Sequence, residues 1–501
     1  MPRLLRHLLP VCFTPLLASC VFLLDYDDLQ SGASAESGGA GGVPSANESG
    51  GPSSSSGEGG GSSSACGDCN DHDACTVDTC DETGAAPTCL HEPTEGLKLD
   101  GFETTLSADR FVRVSLVASG QLFYLAALRY DKDVPRVSLH RLASDGSELE
   151  AVGTDLKLEG TPLSNVGLAV EELAVGDVAL HGFLAAKPKL GDLTPKVFHL
   201  VNHADKTTSN LVGMAYKADN ETVFPQALSM GGRIVGAWIQ PDGTIAVHDV
   251  GSVRTDTFGA PTLPATTLSL LSTGDNKPAV MFTAQTSTNA IGTYVETSGQ
   301  NRSRLEECET RAGQYLSSSV IGTQVPGLWL ATITRFGADY LTSGSATVLC
   351  GNNACSSVPE DCTKTAPSNG IRDIAGATVH FLTDDPGILY SVVAIPQIAP
   401  KVDDPATAEA KLSLALSRAD VSTPGKSDST TIGGDLDTGL LEIAHNDAIE
   451  ADGFAGPDWP AVGILPSRQV AVAWIQPAQP GGATVGSELH VQRYKMCLAA
   501  P

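Results

Sequence analysis

Ile234-Val-Gly-Ala-Trp238-Ile-Gln-Pro241 and Val470-Ala-Val-Ala-Trp474-Ile-Gln-Pro477 share five consecutive identical residues, Ala-Trp-Ile-Gln-Pro. Weaker runs built on an apolar stretch around a small residue occur at Leu122 to Leu128, Val178 to Ala186, Ala279 to Ala284, Leu328 to Thr334 and Ile388 to Ala394. With the two Trp copies these make seven runs, spaced about 45 to 60 residues apart save for the last gap. A second apolar run follows several of them across a turn: Arg136 to His140, Lys196 to His199, Thr244 to His248, Lys411 to Ala415 and Glu488 to Val491. Short runs rich in Val, Ile, Leu and Ala, punctuated by Gly, Pro, Asn and Asp, have strand-and-turn spacing. Helical periodicity is confined to a weak stretch near Ala406 to Leu416, part of which also reads as a strand. The region 100–499 is therefore expected to be all-β.

Hairpins repeated at that period suggest the blades of a β-propeller, in which four-stranded sheets pack around an axis and close on themselves. The resemblance is to β-propellers generally, and it implies seven blades, with six or eight as the adjacent counts. Family signatures are missing: Asp458-Trp459 lacks a Gly-His partner, and Met230-Gly231-Gly232 is a lone kelch-like echo. Tandem β-sandwiches are the rival architecture, but they do not predict hairpin similarity at this period.

At the N-terminus, Arg3, Arg6 and His7 precede a mostly apolar stretch, Leu8 to Leu17, that is too short to span a bilayer needing about twenty residues. Leu17-Ala18-Ser19-Cys20 follows, and it resembles the lipobox of bacterial lipoproteins. That resemblance implies a signal peptide over 1–19, cleavage before Cys20, and a thiol carrying diacylglycerol and further acyl chains such as palmitate. Two or more chains, at about 0.8 kcal/mol per buried methylene, hold a protein on a membrane effectively permanently. The expected location is the outer membrane or cell surface, extracytoplasmic, with residues 20–30 next to the anchor. Beyond Leu24 no apolar run reaches eighteen residues.

Residues 31–64 are almost wholly Gly, Ser and Ala with a few acids, and they cannot bury a core. As a disordered linker of 34 residues they have a root-mean-square span of roughly 30 to 35 Å, which is a tether. The formal charge is −27 and becomes −29 once Arg3 and Arg6 leave with the signal peptide. Nucleic acid is excluded as a partner, because binding it rests on neutralising phosphates with Lys and Arg.

Residues 65–95 carry Cys66, Cys69, Cys75, Cys80 and Cys89. The segment Asp73-Ala-Cys-Thr-Val-Asp-Thr-Cys-Asp81 resembles a Cys- and Asp-rich module of myxobacterial and related surface proteins, which implies a small extracellular spacer. Four thiols at such spacings could hold zinc, but an oxidising exterior favours disulfides. Asp68, Asn70, Asp71 and Asp73 hint at calcium without the Gly and closing Glu of an EF-hand loop. Cys308, Cys350, Cys355, Cys362 and Cys497 are the remaining disulfide candidates. Five on each side is odd, so full pairing requires at least one bridge between module and domain.

Catalytic signals are weak. Gly425-Lys426-Ser427 has Asp420 where a phosphate loop needs its first Gly, and neither a Gly-x-Ser-x-Gly elbow nor a His-Glu-x-x-His helix is present. His199 and His203 leave a strand, where four residues span about 13 Å, too far for one shared ion. His140, His199 and His248 recur at similar hairpin positions and read as outer-strand surface residues. Trp238 and Trp474, flanked by Val, Ala and Ile, read as core aromatics between sheets. Asp435, Asp437, Glu442, His445, Asn446, Asp447, Glu450 and Asp452 form an acidic insertion before the last run, a solvated loop in which Asp435, Asp437 and Asp447 are the candidate calcium ligands. No catalytic residue is assigned and no cofactor other than calcium. The expected role is a cell-surface binding or scaffolding module for an envelope glycan or a partner protein. The alternative is a secreted hydrolase or lyase with an acidic site on one propeller face, and fold alone does not separate the two.

Overall fold

Leu122–Asp131 is buried at six consecutive positions, Phe123 through Leu128, although a strand turns alternate side chains to opposite faces. Both faces are covered. Phe123, Leu125 and Ala127 pack in one apolar cluster with Ala471, Ala473 and Ile475, while Tyr124, Ala126 and Leu128 pack in another with Leu168, Val170 and Leu180. A strand held between two neighbouring sheets is what a radial stack of sheets requires, and its sequence then reads as an unbroken apolar run.

The computed structural model describes residue 66 and most of residues 69–498. Residues 1–65, the C-terminal residues 499–501 and several inter-strand loops, among them 351–365, 421–428, 432–440, 451–457 and 478–486, lie outside the described residues. Cys20, Cys355, Cys362, Asp435 and Asp437 are among the latter. The described residues contain 35 β-strands joined by turns and loops, and no helix.

Seven antiparallel sheets of four or more strands occur among the described residues, and in each the first three strands of the blade run as a meander. The seven apolar runs of the sequence are their second strands: Leu122–Asp131, Asp177–Pro188, Arg233–Ile239, Pro278–Ser287, Trp329–Phe336, Ile388–Pro400 and Gln469–Pro477. These define blades 1 to 7. The first strands, Arg110–Ser119, Gly167–Ala174, Gln226–Met230, Ala265–Ser272, Tyr315–Gly322, Ala377–Leu382 and Asp458–Ile464, each pack against the first strand of the next blade, and that of blade 7 packs against that of blade 1. The ring is closed, so the domain is a seven-bladed β-propeller and not a tandem of sandwiches.

Blade 7 is completed from the other end of the chain. Its third strand, Ser487–Cys497, pairs on its outer edge with Gly96–Leu99, from Gly96↔Cys497 to Leu99↔Tyr494, and with Thr104–Ala108, from Thr104↔Val491 to Ala108↔Ser487. Cys75 is disulfide-bonded to Cys497 with their Cα atoms 5.2 Å apart, which is the bridge that two odd sets of five cysteines require. His72–Val77 accordingly belongs with Glu92–Pro501 in the propeller body, and Asp78–His91 forms a second unit with the residues up to Asp71. That second unit carries the disulfides Cys66–Cys80 and Cys69–Cys89. Cys308 and Cys350 lie on strands of blades 4 and 5.

Two expectations need correction. His199 and His248 are on third strands as expected, but they are 4% exposed and are not surface residues. The acidic stretch is not wholly a loop either, because Leu441–Glu450 is a strand along Thr407–Asp420 in blade 6. Leu441, Ile443 and Ala444 give it an apolar face, which packs on the cluster of Val392, Leu414 and Trp474. The weakly helical stretch near Ala406 lies in that blade's third strand, Thr407–Asp420, where cross-strand pairing overrides a short periodic signal.

Candidate functional site

The turn between the first two strands of blade 3 is Met230-Gly231-Gly232-Arg233, with φ of +55° at Gly231 and +74° at Gly232. Glycine serves both positions because an L side chain is strained there. The turn puts Arg233 at the start of the second strand, beside blade 4. Its guanidinium donates through Nη1 to Asp249 Oδ2 at 2.9 Å and through Nη2 to the Asn276 carbonyl at 2.9 Å, in the first hairpin of blade 4. Asp249 is fixed in turn, since its Oδ1 accepts from the Gly251 amide at 3.1 Å.

These groups line a recess of about 100 Å³ whose walls also include Val235, Val247, Ser252, Asp256 and Pro278. The Arg233 side chain is 46% exposed, so its outer donors face water. The recess therefore offers guanidinium donors, carboxylate and hydroxyl acceptors and an apolar floor within one corner. Its volume is that of a few waters, at about 30 Å³ each, and admits the edge of a small polar molecule.

Blade 7, which shares the Ala-Trp-Ile-Gln-Pro repeat, has the same corner in a filled form. The strand ladders place Gln469 where blade 3 has Arg233, and Arg493 where it has Asp249. Gln469 Nε2 donates to Asp100 Oδ2 at 3.1 Å, and Arg493 Nη2 lies 3.7 Å from the same oxygen. Asp100 comes from the N-terminal segment that closes the ring, so in blade 7 the chain itself supplies the polar group.

A second constellation lies inside the joint between blades 2 and 3. Phe183 pairs with His199 across the sheet, and the rings of His181, His199, Phe183 and Trp238 form a stack with successive centroid distances of 5.2, 4.7 and 6.4 Å. His181 Nε2 is 2.8 Å from Glu171 Oε2, and His181 Nδ1 is 3.0 Å from His199 Nε2. With the carboxylate accepting, a neutral His181 donates from Nε2 and accepts at Nδ1, so His199 donates from Nε2. Burial, then the neighbouring His181 and His248, pull the pKa of His199 down to about 4. Burial also lowers that of His248 and brings His140 to about 4. His199 is therefore uncharged at neutral pH, and with both rings buried a ligand could reach the pair only by opening the sheet. Its role is to hold two blades together.

Trp238 and Trp474 are 1% and 2% exposed, which makes them core residues as read from their flanks. Trp474 stacks on His490 at 5.4 Å, and His490 Nδ1 meets the Glu103 carboxylate. Of the proposed calcium residues, Asp435 and Asp437 lie outside the described residues, and Asp447 is placed only as a backbone position in a blade 6 strand. Around residues 66–91 the cysteines are disulfide-bonded and offer no thiolates. Asp73 turns to Lys495 at 3.0 Å and caps the Cys75 amide at 3.0 Å, while Asp71 joins Asp78 and His91. Nothing in the sequence pattern marked the Arg233 corner or the buried histidine pair, because both depend on which residues oppose one another across strands.

No protein-family model matches the chain, and no curated protein matches it. Solved structures resemble it loosely. The WD40 domain of SCAP from fission yeast aligns at a TM-score of 0.41 and 9% identity over 83% of this chain and 98% of that one. A protein of unknown function from Dyadobacter fermentans aligns at 0.36 and 10% identity over 79% and 99%. The six-bladed fucose-recognising lectin of Aleuria aurantia aligns at 0.34 and 12% identity over 68% and 97%.

Proposed function

We propose that this chain is a bacterial surface lipoprotein, held by Cys20 and a Gly/Ser tether, whose propeller binds a glycan of the envelope at the open corner between blades 3 and 4. The observation that carries the reading is the recess at Arg233. Sugar rings present adjacent hydroxyls, each donor and acceptor, beside C–H faces, and a guanidinium flanked by carboxylates over Val and Pro side chains matches both. The forked donors of Arg suit paired oxygen acceptors better than a Lys point charge. Binding in place of cleavage fits a corner in which the Asp249 carboxylate is engaged by Arg233 and by the Gly251 amide. The acidic surface agrees with an uncharged or weakly charged glycan as ligand.

The test is a glycan array probed with the mature protein, followed by calorimetric titration of the best ligand. Arg233→Ala and Asp256→Asn are each expected to weaken binding at least tenfold, while Gln469→Ala in the filled corner of blade 7 leaves it unchanged. Absence of any bound glycan, or a ligand indifferent to Arg233→Ala, refutes the assignment.

A further inference from the structure

We propose that Asp71, Asp78 and His91 form a binding site for a divalent transition metal on the disulfide-bonded unit, separate from the propeller corner. Each of the three stands two residues from a bridged cysteine: Asp71 after Cys69, Asp78 before Cys80 and His91 after Cys89. Asp78 and Cys80 share one strand, Thr76–Asp81, and Cys89 and His91 share its partner, Thr88–Pro93. Residues two apart on a strand project from the same face. The two disulfides therefore hold the three side chains against each other without a hydrophobic core beneath them.

The donor atoms converge. His91 Nδ1 is 2.6 Å from Asp78 Oδ1 and 3.4 Å from Asp71 Oδ2, and the three ligand atoms lie within 4.8 Å of one another. The second oxygen of Asp78 accepts from the Asp71 amide at 3.0 Å, which orients its carboxylate toward the imidazole. Bonds of about 2.0 to 2.2 Å around a tetrahedral zinc put neighbouring donors roughly 3.3 Å apart. The Asp78–His91 pair needs to open by less than an ångström, and the Asp71–His91 pair already has that spacing.

The donor set also selects the metal. Imidazole favours zinc, copper or nickel, whereas calcium and magnesium take oxygen ligands in larger shells. Two carboxylates neutralise a divalent ion, and the partial exposure of all three side chains leaves room for water in the remaining positions. Zinc on the cysteines is a different site, and the disulfides exclude it for Cys66, Cys69, Cys80 and Cys89.

The experiment titrates zinc into the mature protein against a chromophoric chelator, with wild type beside Asp78→Asn, His91→Gln and, as control, His72→Gln. One zinc equivalent is expected to be lost, or weakened at least tenfold, in Asp78→Asn and His91→Gln and kept in His72→Gln. Peptide mapping of both disulfides in each variant shows that the unit is intact. A His91→Gln titration that superimposes on wild type overturns the site, as does displacement of the zinc equivalent by a hundredfold excess of calcium. Glycan binding at Arg233 is unaffected by either outcome.

Discussion

Removing the Cys75–Cys497 disulfide should lower the stability of the propeller more than removing any bridge of the small unit, because of the length of chain it closes. The two cysteines are 422 residues apart, against 14 for Cys66–Cys80 and 20 for Cys69–Cys89. The entropy withheld from the unfolded chain grows as the logarithm of loop length, which gives about 6 kcal/mol for Cys75–Cys497 and roughly 3 for the short loops. Measured losses fall below this relation, so about 4 kcal/mol is expected for the double variant Cys75→Ser/Cys497→Ser. At an unfolding entropy of about 2.1 cal/mol/K per residue, a body of roughly 410 residues loses about 5 °C of melting midpoint for 4 kcal/mol. Calorimetry of the variant and wild type at one scan rate measures it, with Cys66→Ser/Cys80→Ser as comparison. A midpoint within 1 °C of wild type would mean that His72–Val77 peels away before the ring opens, and it would refute the bridge as a fastener of blade 7.

Cys20→Ser should abolish detergent-phase partitioning, and a variant that still enters the detergent phase removes the lipid anchor. Gly236→Ala should cost about 1 to 3 kcal/mol by overpacking, because a Cβ there falls against the Phe183 ring; an unchanged midpoint in denaturant unfolding contradicts that packing. The depressed pKa of His199, about 4 folded against 6.5 in the free side chain, means that the unfolded chain takes up a proton first as pH falls. Its contribution is full above pH 6.5, is lost as pH falls through 4, and amounts to about 3 kcal/mol. His199→Gln should flatten the stability profile over that window, and an unaltered slope by chemical denaturation counts against a buried neutral imidazole.

Much of the propeller was legible because of a single physical circumstance. Second strands such as Leu122–Asp131 and Arg233–Ile239 are buried on both faces, so their middles are apolar throughout and survive as recognisable runs. Every one of the seven runs is the second strand of a blade. Third strands are harder to read. Val134–Leu142 and Lys196–His203 mix polar and apolar residues, and a histidine there has the periodicity of a solvent-facing position whether or not a neighbouring blade covers it. His199 is buried because Phe183 faces it across the ladder and Trp238 extends the stack from the next blade. None of that is encoded near His199. Ring closure was hidden for the same reason, since Gly96–Leu99 and Thr104–Ala108 pair with a strand almost 400 residues away.

The Trp repeat marks the core faithfully and says nothing of the site, and the reason lies in where blades 3 and 7 diverge. In both, the Trp packs at the joint with the preceding blade and the flanking Ala and Ile at the joint with the next, so packing keeps those residues alike. The corner outside those joints is under no such constraint. In blade 7 it accepts Asp100 from the closing segment and is used up by assembly. In blade 3 Arg233 and Asp249 neutralise one another, hold the Asn276 hairpin of blade 4 and leave their outer faces to water. A corner that binds a polar group from its own chain in one blade has the chemistry to bind a polar group from elsewhere in another. Exchange of the pair, Arg233→Gln with Asp249→Arg, carries that argument to its end: the blade 3 corner then copies blade 7 without an Asp100 to fill it, and it should lose glycan affinity while keeping its fold.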